Sequence, residues 1–389
     1  MTHVRRMAAA SSASSPVSVT SAPARVVARS RDAAIDHLRI VLTVLVILHH
    51  GAIAYGGSGG WYWREQPDAS SLVLLMFNAV NQSYFMGFFF LLAGYFTPAA
   101  YERKGAARFL GERVVRLGIP LLVFFFLLNP LTVALARMSE GHPFWSGWWQ
   151  MIQLREWGPG PLWFAEALLI FALAYAGWRA LARRGANAVQ ALPRFVSLFL
   201  IALALGATSF LVRLWLPVGQ TALWLQLGYF PCYIFLFAAG CAASRARLLE
   251  RVSLAECQPW LVVTGFALLT LPIVMLTRFG QGGFEGGWNF NALYYAFWDP
   301  LVAWGVILGL LWSARNFANK ATPLTAWLAA NAYGAFILHA PILVACSVAA
   351  RSWALPPLPK FLVVGALASA LSFVAGAAFR AIPGARRIL

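Results

Sequence analysis

The sequence predicts an all-α, polytopic membrane protein of about ten transmembrane helices with both termini cytoplasmic. Three observations predict it. Of 389 residues, 60% are hydrophobic and only 11% charged, where a soluble domain carries about 25% charged residues. Apolar stretches near the ~20 residues needed to cross a bilayer recur along the whole chain. With the N-terminus inside, 23 of the 30 Lys and Arg residues fall in the cytoplasmic connections, the bias that the positive-inside rule describes.

The order of elements follows from these stretches. Residues 1–34 are rich in Ser, Ala and Arg and contain no apolar h-region, so they do not form a secretory signal. They read as a disordered cytoplasmic tail, although the composition also resembles an organellar transit peptide. A membrane domain is expected over 35–382, followed by a short basic cytoplasmic tail at 383–389. Spans are expected at about 35–55, 72–96, 115–136, 161–181, 195–215, 224–243, 259–277, 292–312, 325–349 and 358–380. Pro217 and Gly219 divide the fifth from the sixth. The connections on the other side, 56–64, 137–160 and 278–291, are rich in Trp, Phe and Gly. Their aromatics read as interfacial anchors or as a sugar-binding surface.

Composition also removes some function classes. The net charge of +17 does not indicate nucleic acid, because the basic residues are scattered between spans. Cys232, Cys241, Cys257 and Cys346 lack metal-ligand spacing and read as packing residues. No metal site, P-loop, dinucleotide fingerprint or nucleophile elbow is recognisable, and no bound cofactor is expected.

Chemistry concentrates in the first span, IDHLRIVLTVLVILHHGAIAY. Ionisable groups inside a span are costly and usually functional. At about 100° per residue, Asp36, Arg39, Thr43, Val46 and His50 share one helical face, with Arg39 and His50 about 16 Å apart along the axis. A cation near one surface thus shares a face with a deeper imidazole. His50 is the leading catalytic candidate, since imidazole titrates near neutrality and suits general-base work on a hydroxyl. His49 is a second candidate, for packing or orientation, and Asp36 is the expected ion partner of Arg39. Arg113 and Arg116, at i, i+3 before the third span, could join Arg39 in clamping phosphate, or could simply obey the positive-inside rule.

Further polar groups lie in other spans. Asn78, Asn81 and Gln82 share a face of the second span at about the depth of His50, as interhelical glue or as a hydroxyl-binding pocket. Glu166, Asp299 and His339 each need a partner or a wet cavity, and one of the carboxylates could orient His50.

The combination of motifs resembles the integral-membrane acyltransferase family 3, and within it most of all the glucan biosynthesis protein C succinyltransferase branch. Arg39 and His50 match an Arg, ten residues, His pattern in the first span. Phe89 to Phe96 match the end of the second. Arg113 to Leu122 match R-x-x-R running into G-I-P-x-L, Leu162-Trp163-Phe164 match L-W-F, and Ala332 to His339 match a late segment ending in His. The likeness covers about residues 33–382. Ala332 and Phe336 stand where Ser and Tyr are common, and Pro161 where a His often precedes L-W-F; these departures bear on the acceptor more than on the reaction. The resemblance implies transfer of an acetyl or succinyl group from cytoplasmic acyl-CoA to a hydroxyl of a glycan or related acceptor, in the inner membrane of a bacterium. It implies Arg39, Arg113 and Arg116 on the donor's nucleotide end, and His50 as base or transient acyl carrier. The reading from a different class is a transporter or exporter of a small anion or glycolipid.

Overall fold

A chain with this many apolar stretches must satisfy its backbone polar groups internally once in lipid, and helices do so within each segment. A computed structural model describes residues 32–68, 70–182, 189–278 and 280–388. The proposed tail at 1–34 lies outside the described residues up to residue 31.

Among the described residues, nine helices are long and apolar enough to cross a membrane. They are α1 (Ala33–Ala54), α2 (Ser71–Lys104), α3 (Ala106–Met138), α5 (Gly160–Leu181), α6 (Phe195–Trp215), α8 (Leu254–Thr277), α9 (Phe290–Phe317), α10 (Pro323–Ala349) and α11 (Pro357–Ala381). The protein is therefore a multi-pass integral membrane protein. The remaining expected span, 224–243, is shorter: α7 (Leu227–Ala243) opens with a 3₁₀ turn, Leu227–Tyr229, and continues as the 14-residue helix Phe230–Ala243. The break at Pro217 and Gly219 lies between α6 and α7, as the sequence indicates.

Two departures from the expected elements matter. α3 is not a uniform helix: Val114–Gly118 and Phe124–Leu128 are π turns. Single π turns of this kind are uncommon and widen the helix locally. The connection expected at 137–160 contains an additional helix, α4 (Phe144–Leu154), that buries Gly147 and Met151. Its Trp145 and Trp149 are 75% and 60% exposed, as interfacial anchors should be. The final basic segment holds a 3₁₀ turn, Ala385–Arg387.

Glycines set a close contact between α2 and α7. A Cβ on Gly94 of α2 would lie 2.1 Å from the Phe237 carbonyl of α7, and one on Gly240 of α7 would lie 2.1 Å from the Leu91 carbonyl of α2. The two backbones touch, as small residues at membrane helix interfaces allow. α1 packs against α2, α10 and α11, burying Thr43 and Val46, so the middle of its polar stripe lies within the bundle, while the Arg39 side chain at its end is 40% exposed.

Candidate active site

α1 is continuous from Ala33 to Ala54, so the eleven-residue spacing holds Arg39 and His50 on one face, about 16 Å apart. At one end of the stripe, Arg39 Nη1 donates to Asp36 Oδ1 at 3.4 Å. Arg113 is packed over the Phe109 ring, 5.2 Å from its centroid. Arg116 lies within the first π turn of α3, and its backbone carbonyl accepts a 2.6 Å bond from the Tyr333 hydroxyl of α10. α10 thereby ties the arginine end of the bundle to the other end of the stripe.

At that other end, the side chain of His50 meets His339. Nδ1 of His339 lies 2.6 Å from the Phe336 carbonyl oxygen. A carbonyl only accepts, so this nitrogen carries the proton of the neutral ring. Nε2 of His339 is then an acceptor, and it lies 3.1 Å from Nδ1 of His50. Nδ1 of His50 therefore donates, and its lone pair is left on Nε2. A histidine fixed in one tautomer by its second nitrogen is prepared for base chemistry at the first. His50 stays partly exposed while His49 and His339 are buried.

The surroundings of the pair come from a segment expected to lie at the membrane edge. Residues 56–68 fold back over the end of α1. Trp61 stacks on His50, with ring centroids 4.3 Å apart and planes at 18°. The Tyr62 hydroxyl donates to Asn129 Oδ1 of α3 at 2.7 Å; burial pushes this phenol up, which keeps it a donor. Trp63 packs edge-on against Tyr55, and Glu65 Oε1 accepts from the Lys360 ammonium of α11 at 2.6 Å. Trp61 and Trp63 are thus internal contacts rather than the anchors their position suggests. Lys360, near the start of the expected span 358–380, is 1% exposed.

The remaining candidates divide by what they touch. Asn78 Nδ2 donates to both Nδ1 and the carbonyl of His49, at 3.0 and 2.9 Å, while the His49 ring stacks on Phe85. His49 is thus held between α1 and α2 and is not hydrogen-bonded to His50 or His339. Asn81 donates to the Leu45 carbonyl at 3.2 Å and Gln82 to the Tyr233 hydroxyl at 3.0 Å; both join helices. Asp36 is fourteen residues from His50, about 21 Å along α1, and is not joined to it. Glu166, on α5, is not bonded to His50 either. Asp299 is committed elsewhere: Arg213 Nη2 donates to its Oδ2 at 2.5 Å, and both are buried. The residue that orients His50 is therefore a histidine, not a carboxylate.

Arg213, near the end of the expected span 195–215, is the strongest site residue that nothing in its own helix singles out. Its Nε donates to the Gly228 carbonyl at 3.1 Å, and Tyr229 and Tyr295 flank its guanidinium at 5.0 and 5.3 Å. The only available signal was Asp299, an acid in a span that required a partner.

A helical bundle of this kind, with a charged stripe leading to a hydrogen-bonded histidine pair, is that of a membrane-embedded protein with ionisable groups gathered inside it, where such groups usually serve a function. The chain belongs to acyltransferase family 3: the family's acyltransferase-domain model matches residues 32–377. It is a membrane acyltransferase. Among curated proteins it is similar to glucans biosynthesis protein C of Escherichia coli (strain K12), 30% identical over 118 residues, 30% of each chain. It is also similar to the protein of that name from Salmonella schwarzengrund (strain CVM19633), 30% identical over 116 residues, 30% of this chain and 29% of the relative. The chain thus matches about 30% of the length of these curated relatives. No solved structure matches it.

Proposed function

We propose that this protein transfers an acyl group, acetyl or succinyl, from cytoplasmic acyl-CoA to a hydroxyl of a glucan-type polysaccharide or related glycan, in a bacterial inner membrane. The observation that carries the proposal is the His50–His339 bond on the helix that begins at the arginine end. Acyl-CoA carries phosphates and cannot cross lipid, so its nucleotide must stay at a surface while its thioester reaches inward. Arg39, Arg113 and Arg116 supply the cationic surface station, since guanidinium groups bind phosphate in a fixed fork. His50 supplies the inner one.

In the reaction, Nε2 of His50 accepts the proton of the acceptor hydroxyl as that oxygen bonds to the thioester carbonyl carbon. Collapse of the tetrahedral intermediate breaks the C–S bond, and the proton passes from His50 to the departing thiolate. The products are an ester and free CoA thiol. While His50 is protonated, its Nδ1–H bond to His339 becomes charge-assisted and strengthens. The glucan acceptor is suggested by the names of the relatives and the succinyl donor by the likeness to their branch.

The test is release of free thiol from acetyl-CoA and from succinyl-CoA by purified protein, with and without a polysaccharide extract. Wild type should release thiol in an acceptor-dependent way, and His50→Ala should not, while both purify as equally monodisperse protein. Arg113→Ala should raise the KM for the donor with kcat little changed. Undiminished transfer by His50→Ala would remove His50 from the mechanism, and an unchanged donor KM for Arg113→Ala would leave that arginine a topological role only.

A further inference from the structure

The reaction just described develops negative charge on the thioester carbonyl oxygen, and an acyltransferase gains much of its rate from a donor aimed at that oxygen. Among the described residues, three aromatic rings contact the His50 ring: His339, His49 and Trp61. His339 has both nitrogens engaged, one with Phe336 and one with His50. His49 accepts from Asn78 through Nδ1 and meets His50 edge-on, with centroids 5.7 Å apart. Trp61 differs. Its indole Nε1 is fully buried and has no hydrogen-bond partner, although its ring lies directly on the imidazole of His50. A buried donor without an acceptor is costly. Trp260 and Trp304 also bury unpaired indole nitrogens, but these pack against each other between α8 and α9, where no reacting group lies.

The geometry points to the indole N–H of Trp61 as the hydrogen-bond donor to the thioester carbonyl oxygen during acyl transfer, an assignment that rests on the acyltransferase mechanism proposed above. The stack at 18° holds the indole edge in a plane nearly parallel to the imidazole. A carbonyl carbon reacting at the edge of His50 then has its oxygen beside the adjacent layer rather than in open space. The surrounding segment is built to hold this position. Tyr62 is bonded to α3 and Glu65 is paired with the buried Lys360 of α11. Arg64 donates to the carbonyls of Gly57 and Gly59 at 2.8 and 3.1 Å. Donors fixed before the reaction cost no reorganisation when charge develops. No bond to Trp61 forms or breaks; the indole donates to the oxyanion while it exists and keeps its proton.

The experiment compares wild type with Trp61→Phe, which keeps an aromatic ring on His50 and loses the N–H. A second variant places benzothienylalanine at position 61, which keeps the bicyclic shape and replaces N–H by sulfur. Thiol release is followed with the preferred acyl-CoA and the polysaccharide extract, alongside His50→Ala. The expected result is a fall in kcat of about 100-fold or more for both variants, the scale seen when one oxyanion donor is lost, with the KM for donor and acceptor nearly unchanged. Wild-type kcat in the benzothienylalanine protein would overturn the proposal, whatever Trp61→Phe does, and would leave Trp61 a packing role. A raised acceptor KM at unchanged kcat would also overturn it. Either result obtained while His50→Ala is inactive leaves the acyltransferase mechanism standing, whereas an active His50→Ala would remove that mechanism itself.

Discussion

Replacing His339 by Phe isolates the contribution of one hydrogen bond to the proposed chemistry. The ring keeps its size and its place beside Phe336, but the acceptor for Nδ1–H of His50 is lost. In the resting protein this is a neutral bond, for which a contribution of ~0.5–1.5 kcal/mol is typical, whereas a bond to a charged group contributes ~1.5–3 kcal/mol. The difference, about 1–1.5 kcal/mol, is gained only as His50 takes up a proton, so its loss slows the chemical step about 5–10-fold. Without His339 the Val46 carbonyl is the remaining backbone partner of the His50 ring, and escape to the tautomer with its proton on Nε2 removes at most roughly a further factor of two. The prediction is a kcat lower by about 5–20-fold for His339→Phe, read as thiol release, with the donor KM unaffected, since the arginine station is about 16 Å away along α1. His339→Gln, whose amide oxygen can accept the same bond, should recover most of that loss. If His339→Phe keeps more than half the wild-type kcat, or if Gln performs no better than Phe, the tautomer argument is wrong.

Two further predictions concern stability. Asp299→Asn leaves the buried Arg213 guanidinium without a counter-charge and should cost about 3–5 kcal/mol, read as a lower thermal unfolding midpoint in detergent; replacing both residues by Leu and Met should restore much of it. A midpoint unchanged in Asp299→Asn would show that the pair carries no such weight. Gly57→Ala would put a Cβ 1.9 Å from Asn78 Oδ1 and 2.8 Å from the Ala52 carbonyl, so one of those neighbours must shift. Overpacking of this kind costs about 1–3 kcal/mol, and wild-type thermal stability in the variant would mean that the end of α1 is looser than the contacts imply.

What could be read from the sequence was whatever depends on one helix at a time. The stripe from Asp36 to His50 follows from the pitch of α1, and the Asp36–Arg39 pair from its spacing. The spans follow from hydropathy, with α7 and α4 the exceptions. α7 opens with a 3₁₀ turn that lengthens its apolar run without lengthening its helix, and α4 lies in a Trp-rich stretch that reads equally well as loop. Pairings between helices were not accessible. The sequence points to a carboxylate beside His50 rather than to His339, because 289 residues separate His339 from His50 and Glu166, Asp299 and His339 each equally require a partner. Arg213 sits at a helix end, where an arginine normally faces water, and only the approach of α9 turns it inward. Trp61 follows five glycine and serine residues that give no register, so nothing local distinguishes an indole at the membrane edge from one laid on a histidine.

The short α7 has a consequence for the lipid around the protein. Seventeen residues reach only about 25 Å, against a hydrocarbon core of ~30 Å, and tilting would shorten the reach further. The 3₁₀ turn that opens α7 therefore begins short of where a full-length span would end, and a carbonyl there needs an internal partner. Arg213 caps the Gly228 carbonyl at that point, and Asp299 makes its charge tolerable so deep. A bilayer that followed α7 on this flank would thin by about 5 Å, at a fraction of a kcal/mol for each ångström of mismatch. A membrane that is already thin avoids that deformation, so thickness alone gives the protein a preference among the membranes it can occupy.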